Sequence, residues 1–318
     1  MKIRFWTFIL VATLCLCAFA GCNAILNKSD SNDNSYTSEL DFYPLPDGTY
    51  GVAVGKAFYL EEIAIPPTYN GKAVTRILPN AFAGAESLKS VIIPDSVTSI
   101  GKSAFYDCIN LTSVTIPNSV KSIENSAFAF CPSLENVTIP DSVTSIGSSA
   151  FRDCDSLTSI TIPDSMTSIS ASTFQSCDSL ASITIPDSVT SIGETAFYYC
   201  SSLTSITIPD SITIIKNGTF ADCTSLNDIT IPDSVIIIGN SAFQNCSSLT
   251  SITIPEGVTA IGDYAFRGCK NLTSVIFENP VGWQFNNASI SSDDLADAST
   301  AATYLTSTHC SPSWSRDY

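Results

Sequence analysis

Residues 111–131 read LTSVTIPNSVKSIENSAFAFC, and this stretch decides the fold. Its first apolar residues alternate with polar ones, which is the period of a short strand with one buried face. Pro117 ends the strand because proline has no N–H to donate to a neighbouring strand. Val120 and Ile123 then return to the core on the next side, and the spacing within the closing AFAFC predicts about one turn of helix.

The same unit recurs every 23 residues along most of the chain. Pro, Phe, Cys and Leu keep one phase over eight or nine copies, which chance does not produce. A unit this small cannot bury its own apolar face, so the repeats must stack into a solenoid that makes the face continuous. The in-phase aromatic residues are Phe82, Phe105, Phe128, Phe151, Phe174, Phe197, Phe220, Phe243 and Phe266.

This repeat resembles the 23-residue leucine-rich repeat of BspA-like bacterial surface proteins, also called the Treponema-type repeat. The predicted repeat domain spans residues 43–277, and the IPPTYNGK sequence at 65–72 is similar to the extended first unit of that family. The resemblance implies an α/β repeat solenoid. It is expected to form a right-handed curved rod, capped at both ends, with short parallel strands on the concave face and short helical turns opposite.

Residues 278–318 leave the repeat pattern and are similar to the C-terminal cap of many relatives. The similarity includes Trp283, the ATYL sequence at 302–305 and Trp314. A cap of this kind is expected to shield the last layer of the core and the open strand edge.

The N-terminus predicts a lipoprotein signal peptide at residues 1–21. Lys2 and Arg4 precede an apolar run that is too short for a membrane span. The run ends in Phe-Ala-Gly before Cys22, which resembles a bacterial lipobox and implies that Cys22 is lipidated; an ordinary secretory signal is the alternative. Residues 22–42 are polar and are predicted to form a flexible tether. The expected location is therefore the bacterial cell envelope, with the repeats lipid-anchored and exposed at the surface.

Charge and composition exclude several classes of function. The chain has 14 basic against 30 acidic residues, a formal net charge of -16. Such a chain offers no basic surface for nucleic acid or for anionic lipid. His309 is the single histidine and lies outside the repeats beside Cys310. Because general acid–base and nucleophilic sites usually need a tuned base beside a nucleophile, we predict that the protein is not an enzyme and has no cofactor.

One cysteine per repeat recurs in phase with the phenylalanines. Equivalent side chains in a stack point the same way, which disfavours disulfides between neighbouring repeats, although the strand spacing would allow them. The favoured interpretation is a column of buried free thiols that pack as small apolar groups. The cysteines are Cys108, Cys131, Cys154, Cys177, Cys200, Cys223, Cys246 and Cys269.

An acidic residue follows the proline of almost every repeat. A row of carboxylates could bind a divalent cation such as calcium, which takes several oxygen ligands. The favoured alternative is turn chemistry, in which Asp and the following Ser bond local backbone N–H groups. The row, called here the acid row, consists of Asp95, Asp141, Asp164, Asp187, Asp210, Asp233 and Glu256.

The outward positions of the predicted strands form the candidate binding surface for protein ligands. These residues are small and hydroxyl-rich, without the aromatic and Arg side chains that dominate tight interfaces, so a weak multivalent contact is expected. The surface consists of Ser113, Thr115, Asn136, Thr138, Ser159, Thr161, Ser182, Thr184, Ser205, Thr207, Asp228, Thr230, Ser251 and Thr253.

A second candidate surface lies late in the array, where the polar residues after each Val become apolar. Ile214, Ile237 and Ala260 are in phase, and Ile236 adjoins them; this group is called here the flank patch. Exposed apolar patches often mark partner sites.

Other apolar side chains lie beside the predicted helical turns. They either form exposed anchors for a partner or cover the convex side of the rod. These residues are Tyr106, Phe130, Tyr198 and Tyr199.

Three functions remain open from the sequence. The resemblance implies adhesion to extracellular-matrix or plasma proteins or to other cells. The flank patch suggests instead a self-associating structural component of the envelope. A lipoprotein that captures carbohydrate or peptide is the third, but the strand surface lacks the aromatic platforms that such a site needs.

Overall fold

The computed structural model describes residues 39–285, 288–306 and 314–316. Over these residues the chain is a solenoid of stacked repeats joined by parallel strand pairing, as the 23-residue period predicts. Each repeat contributes a strand of three or four residues and a second strand of two residues. Within the described residues, no helix is both long enough and apolar enough to cross a membrane.

The longer strands stack in parallel and in register. Val137 pairs with Val114 in the preceding repeat, and both are buried. The residues on either side of each such Val or Ile point outward, because successive side chains in a strand alternate between its two faces. The strands are β6 (Ser90–Ile92), β8 (Ser113–Thr115), β10 (Asn136–Thr138), β12 (Ser159–Thr161), β14 (Ser182–Thr184), β16 (Ser205–Thr207), β18 (Asp228–Thr230), β20 (Ser251–Ile254) and β22 (Ser274–Phe277).

The two-residue strands form a second parallel stack after the proline turn. In each of them an inward Ile is buried, such as Ile123 and Ile146, which are paired partners. The sequence indicated only that these residues return to the core. The strands are β7 (Ser99–Ile100), β9 (Ser122–Ile123), β11 (Ser145–Ile146), β13 (Ser168–Ile169), β15 (Ser191–Ile192), β17 (Ile214–Ile215), β19 (Ile237–Ile238) and β21 (Ala260–Ile261).

The predicted helical turn of the repeat is wrong in the described structure. Ser126 and Phe130 have φ of 55° and 60°, and a right-handed helix cannot continue through such residues. The chain instead makes a run of tight turns, and the Phe128 N–H donates to the carbonyl of Ala150 in the next repeat at 2.8 Å. This side of the solenoid, called here the turn face, is therefore joined from repeat to repeat by backbone hydrogen bonds as well.

Nine phenylalanine rings, one per repeat, stack through the core. Consecutive centroids lie 5.1–5.8 Å apart, with the ring planes within 15° of parallel. Hydrogen-bonded strands are typically about 4.7–4.9 Å apart. Because the rings lie on the turn-face side and are spaced more widely than strands, this difference favours a rod whose strand side is concave.

The folded part of the chain begins closer to the N-terminus than the sequence predicted. Leu40 is buried and the first strand begins at Asp41, so Asp41 and Phe42, assigned to the tether, belong to the folded part. That strand, β1 (Asp41–Pro44), pairs antiparallel with β2 (Tyr50–Ala53), and β2 pairs in parallel with β5 (Lys72–Ile77), which continues into the stack. The elements are β1 (Asp41–Pro44), β2 (Tyr50–Ala53), a 3-10 helix (Ala57–Tyr59), β3 (Glu62–Ala64), β4 (Thr68–Tyr69) and β5 (Lys72–Ile77).

The C-terminal elements pack on the last repeat. β25 (Trp314–Arg316) pairs antiparallel with β21 and with β23 (Trp283–Phe285), and Trp283 and Trp314 are both buried in the same core as the repeats. Helix α2 (Ala298–Thr306) lies against β22. The elements are β23 (Trp283–Phe285), β24 (Ala288–Ser289), α1 (Ser292–Ala296), α2 (Ala298–Thr306) and β25 (Trp314–Arg316).

Candidate functional site

All fourteen residues of the predicted binding surface are exposed on the longer strands. They form two columns along the stack, one of mostly Ser and one of Thr. Ser182 pairs with Ser205, and Thr161 pairs with Thr184. This surface is called here the strand face. It is held rigidly, because each outward residue adjoins the buried Val or Ile at the centre of its hydrogen-bonded strand.

The strand face changes character near its C-terminal end. Asp228 is paired with Ser205, and Thr253 is paired with Ile276, which is 54% exposed. A shallow depression of about 170 Å³ lies there, and its walls include Asp228, Ser251 and Ile276. Ile276 was not among the predicted site residues, although it occupies the next in-phase position after Thr253. An apolar side chain beside a carboxylate makes this the least uniform part of the face.

The flank patch is assembled as its phase predicts. Ile214 pairs with Ile237, and Ile237 pairs with Ala260. Within the patch, Ile214 is 41% exposed, Ile236 is 46% exposed and Ile237 is 38% exposed. The patch lies on the two-residue strands and is therefore separate from the strand face.

The acid row is exposed, and serines beside its carboxylates have a different role from the predicted one. Ser142, which follows Asp141, donates its hydroxyl to the Val120 carbonyl of the preceding repeat at 2.7 Å, and Ser188, which follows Asp187, donates to the Met166 carbonyl at 2.8 Å. These serines therefore bond neighbouring repeats rather than local N–H groups. Among the residues that the structure describes, no group of three His, Cys, Asp or Glu side chains lies close enough to hold a metal ion.

The eight repeat cysteines are buried free thiols, which confirms the favoured interpretation. Each Sγ donates to the carbonyl of the phenylalanine in the preceding repeat, as Cys177 does to Phe151 at 3.1 Å. Burial raises the pKa of Cys200 to about 12. A thiol so protonated and enclosed is a poor nucleophile, and its role is to link repeats.

Several residues considered from the sequence lie outside the described part of the chain. They include Cys22, the predicted lipidation site, and His309, the single histidine. The structure therefore adds nothing to either prediction.

Comparisons with known proteins identify the family to which this repeat architecture belongs. The family model of the BspA type leucine rich repeat region matches residues 75–204 and 190–299, with six copies. A leucine-rich-repeat protein of T. pallidum is 25% identical, with a TM-score of 0.50, over 67% of this chain and 88% of that one. A leucine-rich cell surface protein of Faecalibacterium prausnitzii is 27% identical, with a TM-score of 0.39, over 76% and 93% of the two chains. No curated protein matches the chain.

The family match covers more than half of the chain and coincides with the stacked repeats. Leucine-rich repeats typically serve as non-enzymatic binding scaffolds, in agreement with a surface of hydroxyl columns. The chain belongs to the BspA-type leucine-rich-repeat family.

Proposed function

We propose that this protein is anchored in the bacterial cell envelope by a lipid on Cys22 and binds other proteins through its repeats. The binding would serve adhesion to host matrix or plasma proteins or to other cells. The observation that carries the proposal is the strand face, a rigid and exposed surface of matched Ser and Thr columns. Such a surface presents many hydroxyl groups in fixed positions, and family membership supports a role in binding.

The composition of the strand face favours many weak contacts over one tight site. Its columns lack the Tyr, Trp and Arg side chains that usually supply most of the energy of an interface. Each repeat offers nearly the same small polar group, so affinity would accumulate with the number of repeats engaged. Adhesion under flow or between cells suits this mode, because many contacts act together.

Binding of the full mature chain to immobilised fibronectin and fibrinogen, measured by surface plasmon resonance, tests the proposal. We expect saturable binding to at least one of them, weakened about tenfold by combining Thr184→Lys with Thr207→Lys, because two bulky charges would project from the face. Thr167→Lys is the matched control, since Thr167 is exposed outside the longer strands. Absence of saturable binding, or equal loss in the control, would contradict the strand-face proposal.

Self-association through the flank patch is the second candidate function. The observation that favours it is the contiguous exposure of Ile214, Ile236 and Ile237. We expect sedimentation velocity to show concentration-dependent association that Ile214→Thr with Ile237→Thr reduces, because the patch loses apolar area. Ile276→Thr is the control, as an exposed isoleucine outside the patch. Identical sedimentation of the double variant and the unmodified chain would rule this function out.

A further inference from the structure

The strand pairing of the solenoid is interrupted at one level of the array. β10 does not pair with β12 and β11 does not pair with β13, although each of these strands pairs with its neighbour on the other side. In the described part of the array, both stacks lose their pairing at this level alone. The β15–β17 and β18–β20 interruptions each affect one stack. The level between β10 and β12 is called here the open junction.

The residue that follows each two-residue strand explains why the second stack parts at the open junction. This corner residue is usually glycine, and the N–H of Gly147 donates to the Ile123 carbonyl of the preceding repeat at 2.9 Å. At the open junction the corner residue is Ser170. Its hydroxyl, in place of its N–H, bonds the Ile146 carbonyl at 2.6 Å. Side-chain bonds of this kind compete with the backbone bonds of regular structure.

A second replacement in the same repeat acts on the same corner. Thr173 stands where most repeats have alanine; it is 1% exposed, and its Oγ1 donates to the Ser170 carbonyl at 2.8 Å. In the preceding repeat the corresponding carbonyl, that of Gly147, accepts the N–H of Ala150 at 3.3 Å. Two hydroxyl groups therefore take over the hydrogen bonds that the backbone makes at this corner elsewhere.

The same two replacements recur once, and the second stack parts there as well. Lys216 and Thr219 occupy the equivalent positions, Thr219 Oγ1 donates to the Lys216 carbonyl at 2.8 Å, and β15 and β17 are unpaired. Glu124 also carries a side chain at the glycine position, but its repeat keeps Ala127, and β7 and β9 remain paired. A side chain at the corner is thus not sufficient, and the buried threonine distinguishes the parted junctions.

The turn face stays joined across the open junction. The N–H of Ser149 donates to the Ala171 carbonyl at 3.0 Å, and the N–H of Phe151 donates to the Thr173 carbonyl at 2.9 Å. Cys177 Sγ adds a bond to the Phe151 carbonyl at 3.1 Å. One side of the rod is therefore held by backbone bonds at the level where the strands of the other side have parted.

We propose that the open junction is a hinge, at which the strand side of the solenoid opens and closes while the turn face serves as the pivot. Hinges typically consist of a few residues that absorb the backbone change between two rigid bodies. Each half of the strand face stays locally rigid, and the tilt between the halves changes. The strand face can therefore adjust its curvature to partners of different shape, and the hinge does not depend on what that face binds.

Distances between spin labels in the full mature chain test the hinge. Thr115 and Thr184 lie three repeats apart across the open junction, whereas Thr161 and Thr230 lie three repeats apart within one unbroken row of longer strands. A ketone-bearing amino acid at these positions carries the labels, so the cysteines stay unmodified. Both separations are roughly 14 Å, which dipolar broadening of the electron paramagnetic resonance spectrum can measure.

We expect a broader distance distribution for Thr115–Thr184 than for Thr161–Thr230. The β15–β17 interruption lies within the span of the second pair, so this difference would assign the motion to the level where both stacks have parted. Equal widths for the two pairs would overturn the proposal, and this comparison needs no variant of the hinge itself.

Ser170→Gly combined with Thr173→Ala restores the residues of the neighbouring repeats and should close the hinge. Hydrogen exchange measured by mass spectrometry should show the amides of Thr167 and residue 170 exchanging about tenfold more slowly, because both gain backbone hydrogen bonds across the junction. The Thr115–Thr184 distribution should narrow to the width of the second pair.

Glu124→Gly is the matched control, since it places glycine at the same corner of a junction that is already paired. It should leave both the exchange of the Thr167 amide and the Thr115–Thr184 distribution unchanged. Unchanged exchange and width in the Ser170→Gly, Thr173→Ala variant would overturn the proposal. Equal narrowing in the control would overturn it too, because the motion would then not arise at the open junction.

Discussion

Replacing Phe174 with alanine is expected to lower the free energy of unfolding by about 3–5 kcal/mol. Phe174 is fully buried in the middle of the ring stack, with the Phe151 and Phe197 centroids 5.8 and 5.7 Å away. The variant loses the ring's burial and leaves a cavity. The cavity cannot collapse readily, because backbone hydrogen bonds join the repeats on both the strand face and the turn face.

The effect should also change the shape of the unfolding transition. In a solenoid each repeat contacts only its neighbours, so a weak layer in the middle uncouples the two halves. Urea titration followed by circular dichroism should therefore show a lower midpoint and a broader or biphasic curve. Tyr59→Ala is the control and should change stability by less than about 0.5 kcal/mol. A single sharp transition, with the free energy of unfolding lowered by less than about 1 kcal/mol, would contradict the view that the rings couple the repeats.

The core was predictable because its signal is repeated. Each in-phase Phe, Cys and Leu is buried, and so is the Val or Ile at the centre of each longer strand. The outward positions followed from the same alternation, so the exposure of residues such as Thr161 and Asp228 could be derived before any coordinates. The pairing of Ile214 with Ile237 followed from their spacing of one repeat.

The turn face was not predictable in the same way, because the spacing of Ala127, Phe128 and Cys131 fits a helical turn and a stacked turn equally well. What separates the two is backbone conformation at Ser126 and Phe130. Ser and Asp at many of the equivalent positions were a usable signal, since these residues are common in turns. The hydrogen-bond partner of Ser142 was not predictable for a related reason. A Ser after Asp suggests a local bond, and only stacking brings the Val120 carbonyl within reach.

Replacing Trp314 with alanine is expected to release the C-terminal elements from the last repeat. It should lower the free energy of unfolding of the unit that these elements form with that repeat by about 3–5 kcal/mol. Trp314 is 2% exposed, and its ring lies 5.6–6.2 Å from those of Phe277, Phe285 and Tyr304. Its backbone pairs with Ile261, so β25 covers the outer edge of the two-residue strands. Loss of the indole removes the side chain that holds this strand in place.

Hydrogen exchange measured by mass spectrometry localises the effect. Amides of β21 and β23 should exchange faster in the variant, while the repeats around Phe105 remain protected, because destabilisation spreads mainly to neighbouring repeats. Exposed strand edges pair with other chains, so the variant should also aggregate more readily on warming. Trp314→Phe keeps an aromatic ring and should lose less protection. Unchanged exchange at β21 in Trp314→Ala would mean that β25 is held by its backbone pairing alone, and the shielding of the last layer would then rest on helix α2 and Trp283.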